Sequence, residues 1–310
     1  MDRVKIAFVA SGGAARGLAH LGVLRACEEL GLLPEIFVGT SAGAIVGSMY
    51  AQDIPLDVLL DGYRLPWRRR HHGPRLRLST FLGAPNRREL FNLGHLTSGV
   101  LSIAKFERYL RQHLPINSFR RLAKPVFVTA VDVDSAERVV FGPGYNDDTL
   151  ISEAVAASCC VPGLFRPYRI NGRYYIDGEI ARTLSADVAV EAGANVVIIS
   201  NIYRPQQEIG QKSIAQGGIA RVLRQSMSIL LTEKERRGVE LLAKRYPHVT
   251  FIDIAPDLGR YGYLNQWAAR SLVMRGYGTA LRALATAKEN RVFDGVLPPL
   301  DSHQGLRSVS

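Results

Sequence analysis

The chain has 310 residues, 47% of them apolar and 22% charged, with a formal net charge of +11. That is enough chain for one large domain or two small ones, and the balance excludes disordered and collagen-like classes. No run of ~18 apolar residues is free of glycine, proline or charge, so no membrane-spanning helix is expected. The start, "MDRVKIAFVA", has only a short apolar stretch and no leader-like pattern, which predicts a cytoplasmic protein. Cys27, Cys159 and Cys160 form no disulfide framework and no C-x-x-C pair, and they read as small apolar residues packed inside a reduced protein.

In chain order, residues 4–10 read as a buried strand and 16–30 as a helix ended by Gly31. "EIFVGTS" is a second strand, and "AGAIVGSMYA" a helix of small residues that can approach a sheet closely. Further strands are expected at 125–133 and 195–201. "YRINGRYYIDG" is a hairpin, because Asn171-Gly172 suits a two-residue turn with positive φ at both positions. "SADVAVEAG" reads as a short helix with Ser185 as N-cap and Gly193 as terminator. Helices at about 212–246 and 264–289 flank a strand near 249–254. Alternating strands and helices predict a mainly parallel sheet covered on both faces. The expected organisation is one α/β domain over 1–295, with a core at 4–205, a mainly helical extension at 206–295 and a frayed tail at 296–310.

The turn "SGGAARG" (11–17) joins the first strand to the first helix. Its N–H groups point outward at the positive end of a helix dipole, so it suits an anion: a nucleotide phosphate or the oxyanion of a reacting acyl group. A dinucleotide fingerprint from Gly12 would need a glycine where Ala14 stands, and an acid where the second strand ends in Gly39-Thr40-Ser41. A P-loop needs Lys and Ser/Thr at the helix start, whereas Gly17 is followed by Leu18. "GTSAG" (39–43) offers a third reading. It is a G-x-S-x-G sequence between an apolar strand and a small-residue helix, where flanking glycines permit a sharp elbow that lifts Ser41 above the sheet. Of the seven histidines (His20, His71, His72, His95, His113, His248, His303), His20 lies on the first helix and His303 in the tail, and only His248, late enough in chain order, keeps a Ser-Asp-His triad open.

"SGGAARG", "GTSAG" and "DGE" (177–179), with "AASCCVPGLFRPYRINGRYYIDG" leading into the last, resemble the patatin-like phospholipase family, bacterial type. The resemblance covers residues 5–51 and 154–201, and "FIDIAPDLGRYGY" extends it more loosely. It implies a three-layer α/β/α fold and a serine acyl hydrolase (phospholipase A, lysophospholipase or esterase) that needs no cofactor or metal. It makes Ser41 the nucleophile, Asp177 its base, and the N–H groups around Gly12, Gly13 and Ala14 the oxyanion hole. Arg16 would hold the loop or add positive potential, with Gly17, Gly39, Gly43 and Gly178 as supports. An aspartate doing this work must be partly buried and bonded directly to the serine. Several positions depart from the family pattern. Ala14 replaces a third glycine, which a negative φ would accommodate. Glu179 replaces a small residue and adds a charge near the site, and Arg182 and Ser185 stand where relatives often have asparagine and proline.

Between Asp61 and Glu89 lie eight arginines (Arg64, Arg68, Arg69, Arg70, Arg75, Arg77, Arg87, Arg88) and no acid. One reading is a solvated loop. The other is peripheral docking on anionic lipid, with Trp67 as an interfacial anchor. No recognition motif accompanies the charge, so nucleic acid is not an expected partner. The functional alternative is a lipid-binding or regulatory interaction protein of the same fold with little turnover.

Overall fold

The structure, a computed structural model, describes residues 4–61, 101–181, 184–203, 213–263 and 265–294. The arginine segment Arg64–Arg88, Arg182 and the tail 296–310 lie outside the described residues.

Eight strands form one sheet: β1 (Ile6–Ala10), β2 (Ile36–Gly39), β3 (Val126–Asp132), β4 (Arg138–Phe141), β5 (Tyr168–Ile170), β6 (Arg173–Asp177), β7 (Val196–Ser200) and β8 (Thr250–Ile254). Their order is β5-β6-β3-β2-β1-β7-β8, with β4 also on β3. The five strands β3, β2, β1, β7 and β8 are parallel, as expected from the βα alternation, whereas β4, β5 and β6 pair antiparallel. The helices are α1 (Leu18–Glu29), α2 (Ala42–Tyr50), α3 (Leu56–Asp61), α4 (Ala104–His113), α5 (Ile151–Ser158), α6 (Ala186–Glu191), α7 (Ile219–Arg245) and α8 (Ala269–Glu289). β1 and β2 are buried along their whole length, as apolar strands covered on both faces must be. Their side chains alternate: Ile6, Phe8 and Phe37 pack with α1, α2, α4, α5 and α8, while Ala7, Val9, Ile36 and Val38 pack with α6 and with Leu242 of α7. The result is the three-layer α/β/α arrangement. α8 lies directly on α1, backbone to backbone, because a Cβ on Gly22 would stand 2.0 Å from the Val273 carbonyl oxygen and one on Gly276 2.1 Å from that of Ala19.

The sheet register brings two loops together. β4 occupies one edge of β3 from Val128 to Val131, so β2 and β6 share the other edge. Gly39 of β2 pairs with Val128, and Asp177 of β6 with Ala130. The C-terminal ends of β2 and β6 therefore meet on β3, two residues or roughly 7 Å apart. β1 runs beside β2 with Ala10 opposite Gly39, so the glycine loop after β1 emerges at the same place. The hairpin that carries Asp177 turns at Asn171 (φ 48°) and Gly172 (φ 88°), the two positive-φ positions expected from the sequence.

Candidate active site

Ser41 sits on the turn from β2 into α2 with φ 51° and ψ −116°, a strained backbone for a residue with a Cβ. Its neighbours hold it there. A Cβ on Gly43 would lie 2.2 Å from the Ala10 carbonyl oxygen, and one on Gly39 would lie 2.5 Å from the Ala44 nitrogen, so both G-x-S-x-G glycines are required by close approach. The Ser41 N–H donates to Ser158 Oγ at 2.7 Å, and that hydroxyl donates to the Thr129 carbonyl at 2.7 Å. The neighbouring Thr40 and Thr129 hydroxyls are bonded at 2.6 Å. The strained turn is thus anchored on α5 and β3, and on β1 through the Thr40 N–H, which donates to the Ala10 carbonyl at 3.1 Å.

Asp177 ends β6 and is buried. Its carboxylate accepts the Glu179 N–H at 3.0 Å. Burial pushes its pKa up to about 6, against the lowering effect of that bond and of the nearby Ser41 hydroxyl. Gly178 packs on Thr129 so closely that a Cβ would stand 2.4 Å from its carbonyl oxygen, which fixes the carboxylate over β3.

Gly13 has φ 153°, a region open to glycine, and a Cβ there would also meet Ile202 Cδ1 at 2.9 Å. Ala14 takes φ 49°, so the condition under which an alanine fits without strain is not met: the alanine adopts the left-handed conformation. The N–H groups of Gly13 and Ala14 donate to no protein acceptor among the described residues. That of Gly12 does: it donates to Glu179 Oε1, so the third expected oxyanion donor is already taken by a side chain. A Cβ on Gly12 would lie 2.8 Å from Glu179 Cγ and 3.2 Å from Ser41 Cβ, which places Gly12 between the two. Burial first, and then the Asp177 charge, push the Glu179 carboxyl up to about 8. Its Oε2 is buried without a hydrogen-bond partner among the described residues.

Arg16 is buried and ties the loop down. Its Nε donates to the Tyr261 carbonyl at 2.8 Å and its guanidinium lies 4.0 Å from the centre of the Tyr263 ring, while the Ala15 N–H donates to the Tyr263 carbonyl at 2.9 Å. Gly17 gives α2 room, since a Cβ there would meet that of Ala42 at 2.5 Å. His248 is exposed and precedes β8, at the end of the parallel sheet opposite Ser41, so the structure does not assemble the Ser-Asp-His alternative. His20 is buried, with Nδ1 2.6 Å from Ser200 Oγ and Nε2 2.9 Å from the Ser11 carbonyl oxygen, and burial lowers its pKa to about 4. Ser185 occupies the N-cap position of α6 but makes no capping bond, and its hydroxyl is buried without a partner among the described residues, which corrects the capping expectation. Among the described residues no group of three or more His, Cys, Asp or Glu is placed to hold a metal ion.

Sequence reasoning did not single out Ser158 or Thr129, and read Cys159 only as a packed apolar residue. The Cys159 thiol lies near the Ser41 hydroxyl and Asp177, and burial holds it protonated and inert. The only local signal was the small, buried character of "AASCC", which shows that the segment is packed but not against what.

A family profile described as patatin-like phospholipase matches residues 8–190, and the chain belongs to that family. It is 28% identical over 200 residues to human "Patatin-like phospholipase domain-containing protein 6", a match covering 64% of this chain and 13% of that protein. It is 28% identical over 215 residues to an uncharacterised NTE family protein of Mycobacterium bovis, covering 69% of this chain and 53% of the other. To the protein named lysophospholipase nte1 of Aspergillus fumigatus it is 24% identical over 197 residues, covering 64% of this chain and 12% of that one. The matched region is thus a small part of the longest of these relatives. Human GIVD cytosolic phospholipase A2 shares the fold, with a TM-score of 0.51 at 10% identity over 94% of this chain and 60% of that one. No described helix is long and apolar enough to cross a membrane.

Proposed function

We propose that the chain is a serine hydrolase of carboxylic esters in lipids, working through a Ser41–Asp177 dyad and the glycine loop. The observation that carries this reading is a buried carboxylate raised to about 6 that the Ser41 hydroxyl acts on, brought to the strained Ser41 elbow by the sheet register, beside loop N–H groups that donate to no acceptor among the described residues. As Ser41 Oγ bonds to the acyl carbon, its proton passes to Asp177, and the carbonyl oxygen becomes an oxyanion beside the Gly13 and Ala14 N–H groups. Donors fixed before reaction stabilise charge that exists only in the transition state. Collapse expels the alcohol, which takes the proton from Asp177. Water then gives a proton to Asp177 and a hydroxyl to the acyl group, and Ser41 is restored. The family membership and the phospholipase and lysophospholipase names of the relatives support lipid esters as the substrate class.

The arginines between Asp61 and Glu89 support a second part of the reading, that the enzyme meets its substrate on an anionic lipid surface. One observation favours the alternative of a lipid-binding protein with little turnover: the Gly12 N–H is held by Glu179. A single experiment tests both parts. Wild type and Ser41→Ala are compared on p-nitrophenyl esters of increasing chain length and on anionic phospholipid vesicles at low and high salt. The account expects wild-type turnover on both, no turnover by Ser41→Ala, and vesicle hydrolysis alone suppressed by salt, which screens charge beyond ~8 Å at physiological strength. A folded wild type that binds vesicles without hydrolysing any ester would establish the alternative.

A further inference from the structure

Glu179 is a carboxyl of the site that the dyad chemistry leaves unused, and it stands where that chemistry needs room. Its Oε1 accepts the Gly12 N–H, its Cγ packs against Gly12 on the side facing Ser41, and its Oε2 has no hydrogen-bond partner among the described residues. A buried carboxyl oxygen without a partner is costly, and such a group is held in place only where something else does not take its position. We propose that Glu179 gates the oxyanion hole: its carboxyl holds the Gly12 N–H in the free protein and yields it to the acyl oxygen of a bound ester, turning toward Lys234. The inference rests on the Ser41–Asp177 reading.

Lys234 supplies the second position. From α7 its ammonium donates to the Ile180 carbonyl at 2.9 Å and to that of Ala181, both in the turn that carries Glu179, and its charge acts on the Glu179 carboxyl. Among the described residues, the other ionisable groups that act on Glu179 are Asp177 on its own turn and Tyr203 after β7. Arg16 of the glycine loop is turned to Tyr261 and Tyr263. Asp177, stabilised by the Glu179 N–H and the Ser41 hydroxyl, gives up its proton first; Glu179, with one donor among the described residues, keeps its own up to about 8. Once ionised, Glu179 holds the Gly12 N–H by a stronger, charge-assisted bond, and its charge opposes the oxyanion beside it. Turnover therefore rises with pH as Asp177 ionises and falls again as Glu179 does.

The test is kcat/KM for p-nitrophenyl butyrate from pH 5 to 10 in wild type, Glu179→Gln and Glu179→Ala, with Ser41→Ala as control. The wild type is expected to decline above about pH 8. Glu179→Gln keeps an uncharged acceptor on Gly12 and should lose the decline above about pH 8. Glu179→Ala frees the donor and should exceed wild type by about tenfold at pH 9, the worth of one charge-assisted bond. Lys234→Met should lower kcat/KM severalfold in the wild-type background and not in Glu179→Ala, because a purely structural lysine would weaken both equally. A decline that survives in Glu179→Gln, or a Glu179→Ala enzyme that folds and is slower than wild type, overturns the gate. Turnover retained by Ser41→Ala overturns the dyad instead, and the gate with it. If Glu179→Ala fails to fold, the Glu179→Gln profile decides.

Discussion

Asp132 and Asp177 end neighbouring antiparallel strands and both are buried, yet the fold treats them in opposite ways. Burial alone would raise both. Asp132 accepts the N–H groups of Asp134 at 3.0 Å and Ser135 at 3.3 Å and an Arg173 nitrogen at 3.1 Å, and these bonds outweigh burial and hold its carboxyl below the usual range. Asp177 has one N–H and the influence of the Ser41 hydroxyl, and no cation acts on it among the described residues, so burial prevails. The difference teaches which carboxylate builds and which reacts: a carboxylate supplied with amides and a guanidinium closes a turn, while one kept short of donors retains the basicity to take a proton from serine.

The largest expected effect of breaking this contrast is at Asp177. Asp177→Asn should lower ester turnover by about 10⁴-fold or more, and adding Ser41→Ala should lower it little further, since the two act as a unit. Turnover near wild type in the single mutant would remove Asp177 from the chemistry. Asp132→Asn should leave turnover nearly intact and cost about 1–2 kcal/mol of stability, the range for a charge-assisted network partly open to solvent. Because the folded pKa of Asp132 is lowered, its contribution is present at neutral pH and is lost as pH falls through that lowered value. The melting temperatures of wild type and Asp132→Asn should therefore converge in acid, and a constant gap would contradict the assignment. Asp177 carries the reverse sign. Its folded pKa is raised, so the ionised form costs stability as pH rises through about 6. Asp177→Asn should melt at or slightly above wild type at pH 7.5 while being inactive.

Much of the site was legible because its signals are local. The glycine loop, the G-x-S-x-G elbow and the Asn171-Gly172 turn each specify a backbone path within a few residues, and each stands where the sequence places it. β4, with only four residues, begins on Arg138 directly after "DSAE" and offers too little periodicity to be read. The supports of the elbow were hidden for another reason. Ser41 reaches Ser158 across 117 positions and Gly12 reaches Glu179 across 167, pairings set by how β2 and β6 share one edge of β3. Composition could flag Glu179 as an extra charge, but only the sheet register shows that its carboxyl lands on the first donor of the loop.

The most direct test of the central claim is the rate at which a fluorophosphonate modifies the chain, followed from pH 4.5 to 7.5 with the adduct located by peptide mass analysis. The account predicts a single adduct on Ser41, a rate that climbs as Asp177 ionises near pH 6, loss of labelling in Asp177→Asn and unchanged labelling in His248→Ala. An adduct on another residue, a rate unaffected by Asp177→Asn, or one abolished by His248→Ala in a folded protein would contradict a serine activated by aspartate alone.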